Sequence, residues 1–248
     1  MTPLLITLLL TQMQSPQAAS WALLERGLEY REIRVLSPES RSGGSLHVFR
    51  IDLQTHRLKA IDARSATRAR AHVRALARER KAKLVVNGTY FDERERPLGL
   101  LIDEGRTLNP LRRADWGVFF VKDRTPKLIH TREWRDAPIS GVELAIQVGP
   151  RCVIKGQEVK LKPQSARRAA LGIQGDSKVL IVLSTQEVLS SDLAKTMASP
   201  QAQGGLECTD AVMLDGGGSA QLWAATKKRE WNLPGAWPVP NGLAVETR

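Results

Sequence analysis

Met213-Leu214-Asp215-Gly216-Gly217-Gly218-Ser219-Ala220-Gln221-Leu222 places a carboxylate at the end of an apolar run, then three consecutive glycines and a hydroxyl. Glycine costs a strand or helix conformational entropy, so three in succession ask for a reason. A flexible Gly-Ser linker is one such reason. Against it, Ala211-Val212-Met213-Leu214 and Ala220-Gln221-Leu222-Trp223 crowd the glycines from both sides. This spacing predicts a tight turn joining two apolar strands of one unit, with bare N–H groups available to a ligand.

Short strands dominate the remainder. Leu46 to Leu53 alternates Phe49, Ile51 and Leu53, as a half-buried strand does, and Leu58 to Ile61 is its expected hairpin partner. Leu84-Val85-Val86 reads as a buried strand running into Asn87-Gly88, and Leu98 to Ile102 as another. Trp116 to Val121 with Lys127 to His130 forms a hairpin around Asp123-Arg124, Glu143 to Val148 ends at Gly149-Pro150, and Val153 to Val159 turns at Gly156. Arg168 to Gln174 and Val179 to Leu183 flank Gly175-Asp176, a strong hairpin signal. Two helices are expected. One is basic, within Arg64 to Lys83, with Ala69, Val73, Leu76 and Ala77 inward; the other starts at Ser190 or Ser191 as N-cap, with Leu193, Ala194, Met197 and Ala198 inward. The fold class is α+β: a single domain built on a largely antiparallel mixed sheet with two main helices. Strict β-α-β alternation is absent, which argues against a doubly wound fold.

The chain has 248 residues, 42% of them hydrophobic, enough for a real core. Thirty-seven Lys and Arg face 26 Asp and Glu, a formal charge of +11 that favours polyanionic partners. A nucleic-acid patch usually brings aromatic platforms or a known module, and aromatics are only 5% here, so no nucleic acid is expected. Leu4 to Leu10 is an apolar core of signal-peptide length, with Ala18 and Ser20 placed for cleavage before Trp21. Residues 1–20 are therefore expected to be a signal peptide, 21–45 an N-terminal extension and 46–248 the functional domain of a secreted or periplasmic monomer or dimer. Cys152 and Cys208 belong to no CxxC or Cys/His cluster; they form one disulfide or remain two buried thiols.

Four clusters end strands and set polar groups among glycines: Asn87-Gly88-Thr89-Tyr90-Phe91-Asp92, Gln147-Val148-Gly149-Pro150, Arg168-Ala169-Ala170-Leu171-Gly172, and Asp215 to Ser219. In order and spacing this set resembles the phosphodiester glycosidase family, from about Leu46 to Val245. Its Asn-Gly-Gly-Phe-Phe-like motif matches Asn87 to Phe91, its Gly-Pro with a short Gly hairpin matches Gly149 to Gly156, its Arg-x-Ala-Ile-Gly-like strand matches Arg168 to Gly172, and its Leu-Asp-Gly-Gly-Gly-Ser-Ser matches Leu214 to Ala220. A closing Asn before an apolar strand matches Asn241. Thr89, Tyr90 and Ala220 depart from the pattern, and Thr89 adds a β-branch on the expected pocket floor.

The resemblance implies hydrolysis of the glycosidic bond of a sugar-1-phosphodiester, with a phosphate-bearing glycan of the cell wall, capsule or another extracellular polymer as partner. Phosphate departs as an anion without a strong general acid. Asp215, Arg168 and Asn87 are the candidate catalytic residues. Asp215 acts as nucleophile, as base toward water, or as stabiliser of an oxocarbenium-like carbon. Arg168 clamps phosphate bidentately, and Asn87 holds a sugar hydroxyl or the phosphate. Successive amides at Gly216, Gly217, Gly218 and Ser219 form an anion nest. Gly88, Thr89, Tyr90, Asp92, Gln147, Gly149 and Asn241 complete the expected substrate-binding set, with Asp92 a possible second carboxylate. No cofactor is expected, and no ligand spacing demands a metal, although Asp215 and Asp92 together leave a divalent ion open.

Plainer readings stand beside these. Asp215 caps its own turn, Asn87 is a turn former, Arg168 is a surface strand residue, and Asp92 is a solvated loop charge among Glu93 to Arg96. At the level of the whole protein the alternatives are a non-catalytic module binding anionic glycans, and a serine hydrolase using Ser219. The latter lacks the last glycine of the G-x-S-x-G elbow, and His47, His56, His72 and His130 sit in no matching motif.

Overall fold

A computed structural model describes residues 20–36, 43–63, 69–134 and 140–248. The expected signal peptide up to residue 19, part of the loop expected at Ser37 to Ser45, and the start of the expected basic helix lie outside the described residues.

Three sheets enclose one core. An eight-stranded sheet takes, in spatial order, Ala22–Glu25, Leu28–Leu36, Gly43–Asp52, Lys178–Ser184, Ala169–Gln174, Asp210–Met213, Arg151–Ile154 and Gln157–Glu158. One five-stranded sheet runs Arg106–Asn109, Leu101–Asp103, Val142–Val148, Gly117–Lys122 and Thr125–His130; the other runs Glu230–Leu233, Leu222–Ala225, Leu84–Asn87, Asn241–Thr247 and His56–Asp62. Strand alternation puts Phe49, Ile51, Leu171, Ile181, Leu84, Val86, Leu144, Ile146 and Leu243 into a common interior.

The opposite faces are buried as well, each under a helix. Ser190–Ala198 lays Leu193, Ala194 and Met197 on Val48, Ala170 and Val182 of the large sheet. Val73–Arg80 covers Val85 and Ala244 with Leu76 and Ala77. The single turn Thr131–Trp134 sets Trp134 on Val118, Phe120 and Ala145. Strands buried on both faces read as near-continuous apolar runs, which is why the sequence shows Val-Leu-Ile-Val-Leu at 179–183 rather than a clean alternation.

The architecture corrects several expectations. All strand pairings among the described residues are antiparallel, so the sheet is not mixed. Strand makes up 49% against 13% helix, so the fold is β-dominated; among the described residues the two expected helices are joined by a third, the single turn Thr131–Trp134. The strand expected to be half-buried, Gly43–Asp52, is covered on both sides. His56–Asp62 does not form its hairpin: after a turn it leaves the large sheet and pairs with Asn241–Thr247. Residues 22–36, expected as an extension, supply two strands of the large sheet. Ala69 is exposed ahead of the basic helix, which begins at Val73. Ser190 is the first helical residue rather than the cap; its hydroxyl donates to the Lys162 carbonyl at 2.6 Å instead. The Arg168 and Lys178 hairpin and the 117–130 hairpin form as expected.

Candidate active site

Strand ends from two sheets meet at the glycine turn. Asp215 N–H donates to the Gly88 carbonyl at 3.1 Å, joining the end of Asp210–Met213 to the end of Leu84–Asn87. Asn87 is fully buried, and its Nδ2 donates to the Asp215 carbonyl at 2.7 Å while its Oδ1 accepts from Gln221 N–H at 3.1 Å. The amide thus spans the glycines from one side to the other. Gly88 has no room for a side chain, because a Cβ would lie 2.1 Å from Asn241 Oδ1. That oxygen accepts from Thr89 N–H at 2.8 Å, so the buried Asn241 fixes the Asn87–Tyr90 turn.

The three glycines are explained by geometry. Gly217 adopts a left-handed φ of 59°, and Gly218 lies beneath the Trp237 ring, whose carbons would be 2.4–2.7 Å from an added Cβ. The expected four-amide nest is not formed. Gly217 N–H donates to the Arg167 carbonyl at 2.8 Å and Ser219 N–H to the Gly216 carbonyl at 3.2 Å. Gly216 N–H faces the Asp215 carboxylate, and only Gly218 N–H is without a partner among the described residues.

Beside this turn lies an open cavity of about 470 Å³, lined by Asp215, Ser219, Tyr90, Phe91, Arg70 and Trp237. Burial raises the Asp215 carboxyl above the ordinary carboxylate range, and the Ser219 hydroxyl and Gly216 N–H pull against that rise. Tyr90 is pushed up to about 12 by burial and by the Asp215 charge, with Arg168 opposing. It is a neutral phenol at pH 7, and its hydroxyl donates to the Gly149 carbonyl. Ser219 is buried and accepts from the Trp237 indole N–H at 3.2 Å. Among the described residues no histidine lines the cavity.

Of the expected set, the structure brings Asp215, Ser219 and Tyr90 together at the cavity. Arg168 borders the turn: its Nη1 is 4.0 Å from where a Gly216 Cβ would sit, while its Nη2 donates to the Gln164 carbonyl. Asn87, Thr89, Gln147 and Asn241 are buried, and their polar groups hold the framework. Thr89 donates to the Gln147 carbonyl at 2.8 Å, so its β-branch packs internally and does not line the cavity. Gln147 spends its side chain on Leu100 N–H, on both backbone groups of Arg112 and on the Thr131 hydroxyl. Gly149 carries the Trp116 ring 2.7 Å from a would-be Cβ. Asp92 closes its own loop, accepting from Arg94 N–H and Arg96 N–H and pairing with the Arg96 guanidinium at 2.7 Å, which lowers its pKa. Among the described residues no three His, Cys, Asp or Glu side chains converge as a metal cluster would.

Sequence reasoning missed Arg70, Phe91, Trp237 and Gln221. Arg70 reads as one more charge of a basic helix, but it precedes that helix and pairs with Glu95 at 2.7 Å. The signal for Trp237 is an aromatic inside Pro234-Gly235-Ala236-Trp237-Pro238, a loop that carries a large ring. Gln221 is fully buried and ties three segments to the turn: its Oε1 accepts from Val73 N–H at 3.0 Å, its Nε2 donates to the Trp237 carbonyl at 2.9 Å, and its backbone N–H meets Asn87.

A model of the phosphodiester glycosidase family matches residues 80–246. None of the curated proteins matches the chain significantly by sequence. Among solved structures, the zebrafish N-acetylglucosamine-1-phosphodiester alpha-N-acetylglucosaminidase catalytic domain, auto-inhibited by its pro-peptide, superposes with a TM-score of 0.69 at 18% identity, covering 94% of this chain and 87% of that one. A hypothetical protein from Synechocystis superposes with a TM-score of 0.62 at 14% identity, covering 93% of this chain and 64% of that one. At these identities the likeness is one of fold.

Proposed function

The chain belongs to the phosphodiester glycosidase family, and from that premise we propose that it hydrolyses the glycosidic bond of a sugar-1-phosphodiester in the cavity beside Asp215. The observation that carries this reading is the cavity's polar inventory. Among the described residues Asp215 is its only carboxylate, and it is joined there by the guanidinium of Arg70. Ordinary glycosidases need a second carboxyl group to protonate the leaving oxygen. A phosphate monoester departs as a stable anion and needs no such acid, so one carboxylate suffices.

Asp215 supplies negative charge to the oxocarbenium-like carbon, as nucleophile or as base toward water. Ser219 and Gly216 N–H orient its oxygens. Arg70 receives the departing phosphate in the cavity, and the half-buried Arg168 guanidinium near Gly216 adds positive potential at the same turn. Asn87 and Asn241 are positioning residues that hold the two strand ends in register. The formal charge of +11 attracts a phosphate-rich polymer, which favours a cell-wall, capsular or other extracellular glycan as substrate.

A panel of sugar-1-phosphodiesters, beginning with N-acetylglucosamine-1-phosphodiester, tests the reading. Wild-type protein should release free sugar and a phosphomonoester, and Asp215→Asn should not. Full activity in Asp215→Asn, or no release from any member of the panel, rejects it.

A further inference from the structure

Trp237 is one of two large apolar side chains left exposed among the described residues, at 48%. It is nevertheless tightly held. Ala236 N–H donates to the Gly218 carbonyl at 2.8 Å, Gln221 Nε2 donates to the Trp237 carbonyl at 2.9 Å, and the indole N–H donates to Ser219 Oγ at 3.2 Å. Its six-membered ring rests on Gly218, whose missing side chain makes that approach possible. An indole fixed in this way loses rotamer freedom while keeping half its surface in water. A rigid, half-exposed ring on a cavity wall is suited to serve as a ligand face.

We propose that Trp237 is the platform on which the sugar ring stacks, setting the anomeric carbon against Asp215 and selecting for the sugar rather than for the phosphate. The inference rests on the catalytic reading above and names the sugar-side wall of the same cavity. The hydroxyl that receives the indole N–H is the one beside the Asp215 carboxylate, so ring, hydroxyl and acid form one continuous wall. A pyranose presents apolar C–H faces that stack on aromatic rings, whereas its phosphate seeks the guanidinium of Arg70. Phe91 and Tyr90 supply further aromatic lining, in a chain where aromatics are only 5%.

The test is binding by NMR and calorimetry. The probes are the 1-phosphates of N-acetylglucosamine, glucose, galactose and mannose, with inorganic phosphate as control. The Trp237 indole resonance is identified by its loss in Trp237→Phe. At least one sugar-1-phosphate should shift that resonance in wild type, and phosphate alone should not. Trp237→Ala should weaken that sugar-1-phosphate about tenfold or more while leaving phosphate affinity unchanged. Trp237→Phe, which keeps a ring, should stay within about threefold of wild type. Four binding results overturn the proposal: an indole resonance that ignores every sugar-1-phosphate, an unchanged affinity in Trp237→Ala, an equal loss for phosphate, or a Phe variant as weak as the Ala variant. If Trp237→Ala does not fold, the resonance shift and the Phe variant decide. Sugar-specific binding without hydrolysis rejects the catalytic reading and keeps the platform; hydrolysis unaffected by Trp237→Ala rejects the platform and keeps catalysis.

Discussion

Asn87 holds the backbone of Asp215 in place: its Nδ2 donates to the Asp215 carbonyl at 2.7 Å from a fully buried position. The carboxylate's place at the cavity is thereby fixed by a side chain that does not itself line the cavity. Removal of Asn87 and removal of the Asp215 charge should therefore have different consequences.

Asn87→Ala leaves the Asp215 carbonyl and Gln221 N–H without partners. Each buried unpaired group costs about 1–3 kcal/mol, so unfolding free energy should drop by about 2–6 kcal/mol in urea titrations, with activity lost alongside. A variant as stable as wild type would show that the amide does not hold the turn.

Asp215→Asn should abolish turnover without destabilising the protein. Burial raises the folded pKa above the ordinary 3.8. The protonated form is thus favoured in the folded state, and the stability it brings is fully present below the unfolded pKa and lost as pH rises through the folded value. At pH 7 the ionised carboxylate is a cost, so the neutral Asn variant should match or exceed wild type in Tm. The two should converge as pH falls below about 3.8. A marked loss of Tm at pH 7 would contradict this.

Arg70→Ala should lower kcat/KM on a phosphodiester by about 10- to 100-fold and leave a neutral aryl glycoside of the same sugar unaffected, since only the former offers a charge to bind. Glu95→Gln, which weakens the ion pair that steers Arg70, should produce a smaller loss of the same kind. Equal losses on both substrates would remove Arg70 from phosphate recognition.

Gly218→Ala forces a methyl to within 2.4–2.7 Å of the Trp237 ring. Overpacking of this kind costs about 1–3 kcal/mol and should displace the ring, seen as a changed indole resonance together with reduced activity. An unperturbed indole would show that the ring does not rest on the turn.

Cys152 and Cys208 are free thiols inside the core, and burial pushes the Cys152 thiol up to about 12 and that of Cys208 well above its usual value. Thiolate is the reactive form, so a thiol reagent at pH 8 should label neither in the native protein and both after denaturation. Failure to label denatured, unreduced protein would show a disulfide instead.

How much of this was legible in the sequence differs by residue. Val-Leu-Ile-Val-Leu at 179–183 and the Gly175-Asp176 turn suffice for a hairpin, because a short apolar run and the turn chemistry that bounds it are local properties. The Asp215 glycine turn between apolar strands was equally readable. Leu58 to Ile61 was recognisable as a strand but not as the partner of Asn241–Thr247, because apolar alternation says which faces bury and not which strand lies alongside. Asn87, Gln147 and Asn241 look like ligand-binding groups, yet a side-chain amide satisfies a buried backbone group as readily as a sugar hydroxyl, and only the three-dimensional neighbours decide. Arg70 and Trp237 reach the cavity from segments far apart in the chain, brought together through Gln221. The sequence by itself determined the strands, the bare turn and its acid; the tertiary structure alone decided what surrounds that acid, because long-range packing assigns each polar group its partner.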